Sequence, residues 1–172
     1  MELIFNSLNI TTAKGRPSYH DLTSDLSELI RKSGVVNGVL TATTPHTTCS
    51  FFFEEEMHDL DSNGDDFLQL DFNATLDRIA PIQATHNQFK SPGPEHIKFG
   101  LSLADPNYPA EKWVMYNTDA HIRASMFGQH SLQVIVKEGK ALMGALGRVY
   151  FADWDTLRER QRDVNVVVMG VV

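Results

Sequence analysis

The sequence predicts a single domain that mixes β-strands with helices. Its 172 residues are enough for one hydrophobic core and short for two. Residues 2–12 alternate roughly between apolar and polar side chains, which is typical of a half-buried strand. In the segments 19–32 and 64–80, apolar residues instead recur at the spacing of one helix face. These two periodicities predict both kinds of element within one domain, residues 1–172.

Further strands are predicted by short apolar runs that turn-forming residues separate. The segment 131–136, a Lys-Glu-Gly-Lys turn and the segment 141–151 together predict a β-hairpin. Gly144 and Gly147 lie within the second of these strands, where glycine indicates a bulge or a close approach of backbone. The remaining strands are expected at residues 35–44, 49–54 and 164–172.

A third helix is predicted at residues 117–127, because Asn117 or the next residue can cap its start and Gly128 can end it. The segment 88–112, by contrast, contains four prolines, and we expect irregular structure there. Such a segment is either a lid or binding loop, or a flexible surface insertion. Residues 98–103 within it are a candidate for a short extra strand.

Composition and charge exclude several classes of protein. Apolar residues make up 42% and charged residues 22%, as in ordinary globular domains. The net charge is −7 and the basic residues form no run, so a nucleic-acid surface is not expected. No apolar run is long enough to cross a membrane, which favours a soluble cytoplasmic protein. The single cysteine, Cys49, excludes an internal disulfide and is expected to be a core residue rather than a nucleophile.

The main candidate for a functional site is the polar segment 44–50, Thr-Pro-His-Thr-Thr-Cys-Ser, which lies between two apolar strands. Pro45 disfavours a continuous strand at this point. A bend here would turn the side chains of His46 and Thr47 out of the strand ladder. Because imidazole can bind a metal or move a proton near neutral pH, the sequence favours a site at His46.

Two further histidines occur in polar surroundings much later in the chain. His86 follows a short apolar segment, and His121 falls near the start of the helix predicted at 117–127, where free N–H groups suit an anion such as phosphate. Three histidines with a carboxylate are the usual composition of a zinc site. The long spacing and the absence of a His-Glu-x-x-His motif leave the geometry open. In the alternative interpretation, His121 is a surface residue of its helix and His86 is a loop residue.

Several spaced motifs match, in order, those of a known family. The run His-Thr-Thr-Cys-Ser at 46–50 is followed by Glu55, then by Asp71 and His86, and then by Asp-Ala-His-Ile-Arg-Ala-Ser-Met-Phe-Gly at 119–128. The match extends over nearly the whole chain, from the first strand to the last. Because several motifs occur in the same order, the chain resembles the YjbQ family more specifically than any single motif would indicate.

The resemblance implies an α+β fold, with a curved antiparallel β-sheet or sandwich and two or three helices. It also implies a compact homotrimer with sites near the subunit boundaries. Members of the family are often labelled secondary thiamine-phosphate synthase. The expected ligand is therefore a phosphorylated small molecule.

The resemblance also implies roles for individual residues. The expected metal-binding or catalytic histidines are His46, His86 and His121. Glu55 and Asp71 are expected as supporting carboxylates, which would orient a histidine or act as a base. Polar residues expected to line the pocket are Thr47, Thr48 and Asn117. Because the helix start suits an anion, Arg123 or Arg162 is expected to add positive charge to a phosphate site.

The chain departs from the family pattern where the family has Gly-Thr-Trp-Gln. Here that segment is Gly-Ala-Leu-Gly at 144–147, and Asp153 stands where the family has a glutamate. The segment 88–112 is also longer than in compact members, and His130 is an insertion after the predicted helix. Two functions are therefore expected. The first is an enzyme in which a histidine-bound divalent metal, zinc before others, acts on a phosphorylated molecule in a thiamine-phosphate synthase-type transfer. The alternative is a non-catalytic homotrimer that binds a metal or a ligand.

Overall fold

The computed structural model describes residues 1–103 and 115–172, and in these ranges the chain forms eight strands and four helices. The strands are β1 (Glu2–Thr11), β2 (Ser18–Asp21), β3 (Asn37–Thr43), β4 (Cys49–Glu55), β5 (Ser131–Lys137), β6 (Lys140–Ala141), β7 (Gly147–Asp153) and β8 (Gln161–Val171). The helices are α1 (Thr23–Ser33), α2 (Phe67–Ile79), α3 (Pro94–Ser102) and α4 (Thr118–Met126).

Two antiparallel sheets form the framework of the described chain. One has five strands in the order β1-β8-β3-β5-β6, and the other has three in the order β2-β7-β4. Along β8, Val164, Val166 and Val168 are buried and the residues between them are more exposed, because successive side chains of a strand point to opposite faces. The α+β fold with curled antiparallel sheets, expected from the sequence, is thereby confirmed.

Helices α1, α2 and α4 pack against the two sheets. Leu26 and Ile30 of α1 lie one helical turn apart, and both are buried in the apolar core against the five-stranded sheet. Burying such a side chain stabilises the fold by about 1.5–3 kcal/mol. A second cluster, which includes Leu76, Ala120 and Trp154, joins α2 and α4 to the three-stranded sheet. Within the described ranges, no helix combines the length and the apolar character needed to span a membrane.

The described chain has four helices instead of two or three, because part of the segment 88–112 is helical. Helix α3 begins with Pro94, whose missing N–H is not needed at a first helical position. It buries Ile97. The prediction of a strand at 98–103 was therefore wrong, since most of these residues continue α3. Residues 104–112 of the expected loop lie outside the part that the structure describes.

The hairpin expected after β5 forms only in part. Strand β5 pairs with the two-residue β6, whereas β7 pairs with β2 and β4 in the other sheet. The chain changes sheets at 142–146, so Gly144, with φ of 73°, belongs to a turn rather than a bulge. The close approach of backbone is confirmed at Gly147, where an added Cβ would lie 2.1 Å from the carbonyl oxygen of Met143.

Three connections meet where the two sheets adjoin. They are residues 44–48 between β3 and β4, residues 127–130 between α4 and β5, and residues 154–160 between β7 and β8. The amide of Thr44 donates to the His130 carbonyl at 3.0 Å, and the amide of Trp154 donates to the Thr48 carbonyl at 3.0 Å. These hydrogen bonds place the polar segment around His46 at the junction of the sheets.

Candidate functional site

His46 is held outside the strand ladder by hydrogen bonds of its own loop. The Thr44 hydroxyl donates to the carbonyl of Asp163 at 3.1 Å and accepts from the amide of His46 at 3.3 Å. The amide of Cys49 donates to the His46 carbonyl at 3.1 Å, which closes a tight turn before β4. Pro45 therefore interrupts the strand as expected, since β3 ends at Thr43 and β4 begins at Cys49.

The imidazole of His46 is in contact with a backbone amide and an arginine. Its Nε2 accepts a hydrogen bond from the amide of Asp163 at 3.0 Å. A neutral ring that accepts at Nε2 carries its proton on Nδ1, and this atom lies 3.4 Å from Nη1 of Arg162. Burial, and next the charge of Arg162, lower the pKa of His46 below its usual value. The ring is therefore neutral near pH 7.

A buried polar cluster lies directly behind His46. Nε of Arg162 donates to Oδ2 of Asp153 at 2.7 Å, and Nη2 donates to the hydroxyl of Thr48 at 3.0 Å. The same hydroxyl donates to Oδ1 of Asp153 at 3.0 Å. A buried charge is tolerated only when its polar atoms are paired in this way. Arg162 and Thr48 thus hold the His46 loop in position, and this structural role is separate from any contact with a ligand.

Two cavities adjoin the His46 loop, and Pro45, His46 and Thr47 line both of them. The larger, of about 540 Å³, is bounded on its other side by residues from 124 to 131. The smaller, of about 210 Å³, is named here the His46–His121 cavity. Its lining consists of Pro45, His46, Thr47, Thr48, Asn117, His121, Asp155, Arg160 and Arg162.

The His46–His121 cavity is rich in hydrogen-bond donors. Arg160 donates from Nη2 to Asp155 at 2.8 Å, and the Asn117 side chain donates to the same carboxylate at 3.3 Å. Nε of Arg160 is buried and has no acceptor among the described residues. His121 lies in the first turn of α4, close to the positive end of the helix. Guanidinium, amide, hydroxyl and imidazole groups around one cavity are the chemistry that recognises an oxyanion such as phosphate.

Three of the expected site residues lie away from this cavity. Glu55 is exposed at the end of β4, and Asp71 is exposed on α2. His86 is exposed and lines a separate cavity with its chain neighbours, where its ring centre is 6.0 Å from that of Tyr116. The structure therefore brings together His46 and His121 but not His86, Glu55 or Asp71.

Arg123 also lies elsewhere, because its guanidinium serves α2. It is 1% exposed and donates from Nε and Nη2 to the carbonyl of Ala80 at 3.0 and 2.7 Å. Nη2 also donates to Asp77 at 2.6 Å. A cation is favoured at this position by the negative end of the α2 dipole. Its contacts thus cap a helix end and do not face the His46–His121 cavity.

The described residues of one chain do not fit the expected three-histidine metal site. Within 1–103 and 115–172, no three histidine, cysteine, aspartate or glutamate side chains are grouped closely enough to hold a metal ion. The Nε2 atom of His46 is also occupied by the amide of Asp163. Two arginines in the lining favour an anion over a divalent cation.

Arg160 and Asp155 were not among the site residues expected from the sequence. A signal was nevertheless present. Arg160 and Arg162 are two residues apart at the start of an apolar strand, and residues at that spacing lie on the same face. A prediction based on strand alternation would have included both arginines.

The protein belongs to the α+β class. The described chain has two curled antiparallel sheets and four helices, and its polar connections converge between the sheets. Residues 6–171 match the family described as UPF0047 protein YjbQ-like, and the chain belongs to this family. The resemblance inferred from the motifs is thereby confirmed.

Relatives and solved structures agree with this assignment over almost the full chain. A UPF0047 protein of Methanothermobacter thermautotrophicus is 26% identical over 166 residues, which are 96% of this chain and 93% of that protein. YugU of Bacillus subtilis is 23% identical and covers 91% of this chain, and the match spans 94% of YugU. A YbjQ-like protein of unknown function from Sulfolobus solfataricus has a TM-score of 0.70 at 20% identity and matches over 98% of both chains. A hypothetical protein from Aeropyrum pernix has a TM-score of 0.68 at 22% identity, over 99% of both chains.

Proposed function

We propose that the His46–His121 cavity binds the phosphate or diphosphate group of a small phosphorylated molecule. The observation that carries the proposal is that four cationic or donor side chains from three chain segments line one cavity: His46, His121, Arg160 and Arg162. A cavity of about 210 Å³ is small, so a phosphate group rather than a whole cofactor fits within it.

The charges of the cavity support an anionic ligand. The enclosed carboxylate of Asp153 already balances Arg162, and Asp155 balances Arg160 only through Nη2. Nε of Arg160, which lacks an acceptor within the described residues, needs an oxygen that a phosphate would supply. The start of α4 adds the favourable potential of its dipole. The neutral His46 would contribute a hydrogen bond and no net charge.

The reaction that this arrangement supports best is the thiamine-phosphate synthase-type transfer. In such a transfer a ring nitrogen of a thiazole phosphate attacks the methylene carbon of a pyrimidine diphosphate. The new C–N bond forms as the C–O bond to diphosphate breaks, and the electron pair leaves with the diphosphate. The attacking nitrogen carries no proton, so this step needs no general base. The principal demand on the protein is to neutralise the leaving diphosphate, which fits the arginines and does not require Glu55 or Asp71.

A non-catalytic ligand-binding role is the second candidate, and one observation favours it. Leu146 and Gly147 replace the tryptophan and glutamine of the family segment, so the aromatic ring and the amide that could contact a substrate are missing. The cavity would then bind a phosphorylated molecule without transforming it. Both candidates share the phosphate site and differ only in turnover.

Two measurements test the site and then the reaction. Calorimetric titration of the full chain with inorganic pyrophosphate is expected to show binding that His121→Ala and Arg160→Gln each weaken roughly tenfold. Arg78→Gln, which removes an exposed arginine of α2, is the matched control and is expected to bind as wild type does. An equal loss in Arg78→Gln, or no binding by wild type, would overturn the proposal. Product formation from the two thiamine precursors, abolished by His121→Ala, supports the transfer; binding without product supports the second candidate.

We also propose that the chain associates with itself through the outer face of the five-stranded sheet. Leu3, Met169, Val39 and Ile135 are register partners in a row across four adjacent strands. Phe5 in the neighbouring row is 74% exposed, and Ile135 is 61% exposed. A contiguous apolar face of this kind is typical of an interface. Self-association into the homotrimer implied by the family resemblance would cover it.

A further inference from the structure

Glu54 is a buried carboxyl group whose oxygens have no hydrogen-bond partner. It lies in β4 and is 8% exposed, while its neighbours Phe53 and Glu55 on the opposite strand face are exposed. Neither Oε1 nor Oε2 has a donor within the described residues. Leaving such a group unpaired is costly, which indicates that a partner from outside the described residues completes the site.

An apolar cavity of about 180 Å³ adjoins Glu54. The side chains that line it with Glu54 are Phe52, Phe53, Leu68, Phe72, Phe127 and Trp154. Phe52 is fixed by two aromatic contacts. Its ring centre lies 5.9 Å from that of Phe72 in an edge contact, and 5.6 Å from that of Tyr150 in a stacked contact. The walls are therefore preformed aromatic surfaces. Because Phe53 is exposed, the lining reaches the surface of the protein.

The surroundings of Glu54 contain negative charge and phenols. Its register partner in β7 is Arg148, whose guanidinium pairs with Glu56 instead. Burial, and next the nearby carboxylate of Asp66, raise the pKa of Glu54 to about 7. Asp66 accepts from the amides of Leu68 and Met57, so it provides no proton to Glu54. The phenols of Tyr19 and Tyr150 have raised pKa values, which for Tyr150 is about 12, so neither ionises near pH 7.

We propose that this cavity is a second binding site, which takes a small organic ammonium ion with an aromatic or alkyl body. The ammonium group would pair with the carboxylate of Glu54, and the apolar body would lie against Phe52, Phe72 and Trp154. Aromatic faces attract such a cation in addition to the carboxylate. In volume, the site resembles the engineered apolar cavity of about 150 Å³ that binds benzene, so benzylammonium has an appropriate size. The site is independent of the proposed phosphate site.

The test is a calorimetric titration of the full chain with benzylammonium chloride at pH 8. Wild type is expected to bind it, and Glu54→Gln is expected to weaken binding roughly tenfold or more, since the charge partner is lost. Glu55→Gln, which changes the exposed carboxylate next in the chain, is the matched control and is expected to bind as wild type does. Benzyl alcohol, which has nearly the same shape and no charge, is expected to bind wild type at least about tenfold more weakly than benzylammonium.

The dependence on pH gives a further readout. Affinity of wild type for benzylammonium is expected to rise between pH 6 and 8, because Glu54 loses its proton in this range. Glu54→Gln is expected to lack this rise, and its circular dichroism spectrum establishes that it is folded. Equal affinity for benzylammonium and benzyl alcohol, or the same loss in Glu55→Gln as in Glu54→Gln, would overturn the proposal. So would an absence of binding by wild type.

Discussion

Asp153 and Arg162 form an ion pair in which Oδ2 and Nε are 2.7 Å apart and both side chains are at most 9% exposed. Asp153 ends β7 in the three-stranded sheet, and Arg162 lies in β8 of the five-stranded sheet. The hydroxyl of Thr48 bridges the two residues. One buried polar cluster thus joins the sheets and supports the loop that presents His46.

Removing the carboxylate of this pair is expected to destabilise the protein strongly. Asp153→Asn would leave the Arg162 charge buried without its partner, and the free energy of unfolding should fall by about 3–5 kcal/mol. Urea denaturation at pH 7 measures the change. Glu28→Gln removes the partner of Arg31 on the exposed surface of α1 and is the control, for which little change is expected. A similar loss in both variants would contradict a role for burial.

His46 is expected to make stability depend on pH in the mildly acidic range. Its pKa is lowered in the folded protein, so below about pH 6.5 the unfolded chain binds more protons than the native chain. Stability is therefore lost as the pH falls through this range. His46→Asn keeps an acceptor for the amide of Asp163 and removes the titration. The difference in unfolding free energy between wild type and His46→Asn should shrink from pH 7.5 to 5.5, with His20 contributing equally to both. A constant difference would contradict the lowered pKa.

Glu54 is expected to give the opposite dependence of stability on pH. Its raised pKa of about 7 lies above the ordinary value of 4.5, so between these values the native chain binds more protons than the unfolded chain. Stability from this group is lost as the pH rises through 7. Replacing Glu54 by methionine, which has a similar shape and no charge, is expected to raise the unfolding free energy by about 1–3 kcal/mol at pH 8 and by less at pH 5. Glu55→Met, at an exposed position, should change little. Destabilisation by Glu54→Met at pH 8 would show that Glu54 has a partner already.

The contrast between Glu54 and Glu55 shows what the sequence could not decide. Three consecutive glutamates follow the apolar run of β4, and the motif order pointed to Glu55. Side chains alternate between the two faces of a strand, so one residue of register determines which carboxyl is enclosed. That register is fixed by pairing with β7, about a hundred residues later in the chain. The local pattern predicted the strand correctly and could not assign its faces.

The same limit applies to the positions of the histidines and to the second strand of the predicted hairpin. Pro45 and the threonines around His46 are local signals, and they correctly predicted a bend there. The signals at Asn117 and Gly128 likewise predicted α4 and placed His121 in its first turn, although the Asn117 side chain makes no capping hydrogen bond and the helix ends at Met126. Whether His86 joins them depends on the path of residues 80–94, which no periodic pattern specifies. The departure of β7 into the second sheet is also a long-range pairing that the turn after β5 does not encode.

The apolar outer face of the five-stranded sheet predicts the behaviour of a charged variant. Ile135→Lys places an ammonium group within the proposed contact, and a buried unpaired charge opposes association. The molar mass from light scattering is expected to fall from that of an oligomer to that of a single chain. Ser24→Lys, on the exposed surface of α1, is the control and should leave the mass unchanged. A single chain for wild type, or an oligomer for Ile135→Lys, would contradict the proposed interface.

Gly128 is expected to be the least replaceable glycine near the site. It adopts φ of 96°, and an added Cβ would lie 2.5 Å from the carbonyl oxygen of Phe51 and 2.9 Å from the hydroxyl of Ser50. Backbone cannot move away here, because Phe51 and Gln129 exchange amide-to-carbonyl hydrogen bonds at 2.7 and 2.9 Å. Gly128→Ala combines an unfavourable φ with this overlap and should lower the unfolding free energy by about 1–3 kcal/mol or more.

Gly93→Ala is the matched control for this substitution. Gly93 has φ of −80° at the start of α3 and no atom within 4 Å of an added Cβ. Urea denaturation is expected to show little change for Gly93→Ala and a clear loss for Gly128→Ala. Because Gly128 lines both the larger cavity beside His46 and the Glu54 cavity, its replacement should also weaken binding of benzylammonium. Equal stability of the two variants would mean that the connection between α4 and β5 can shift, and that the walls of both cavities are less rigid than their hydrogen bonds indicate.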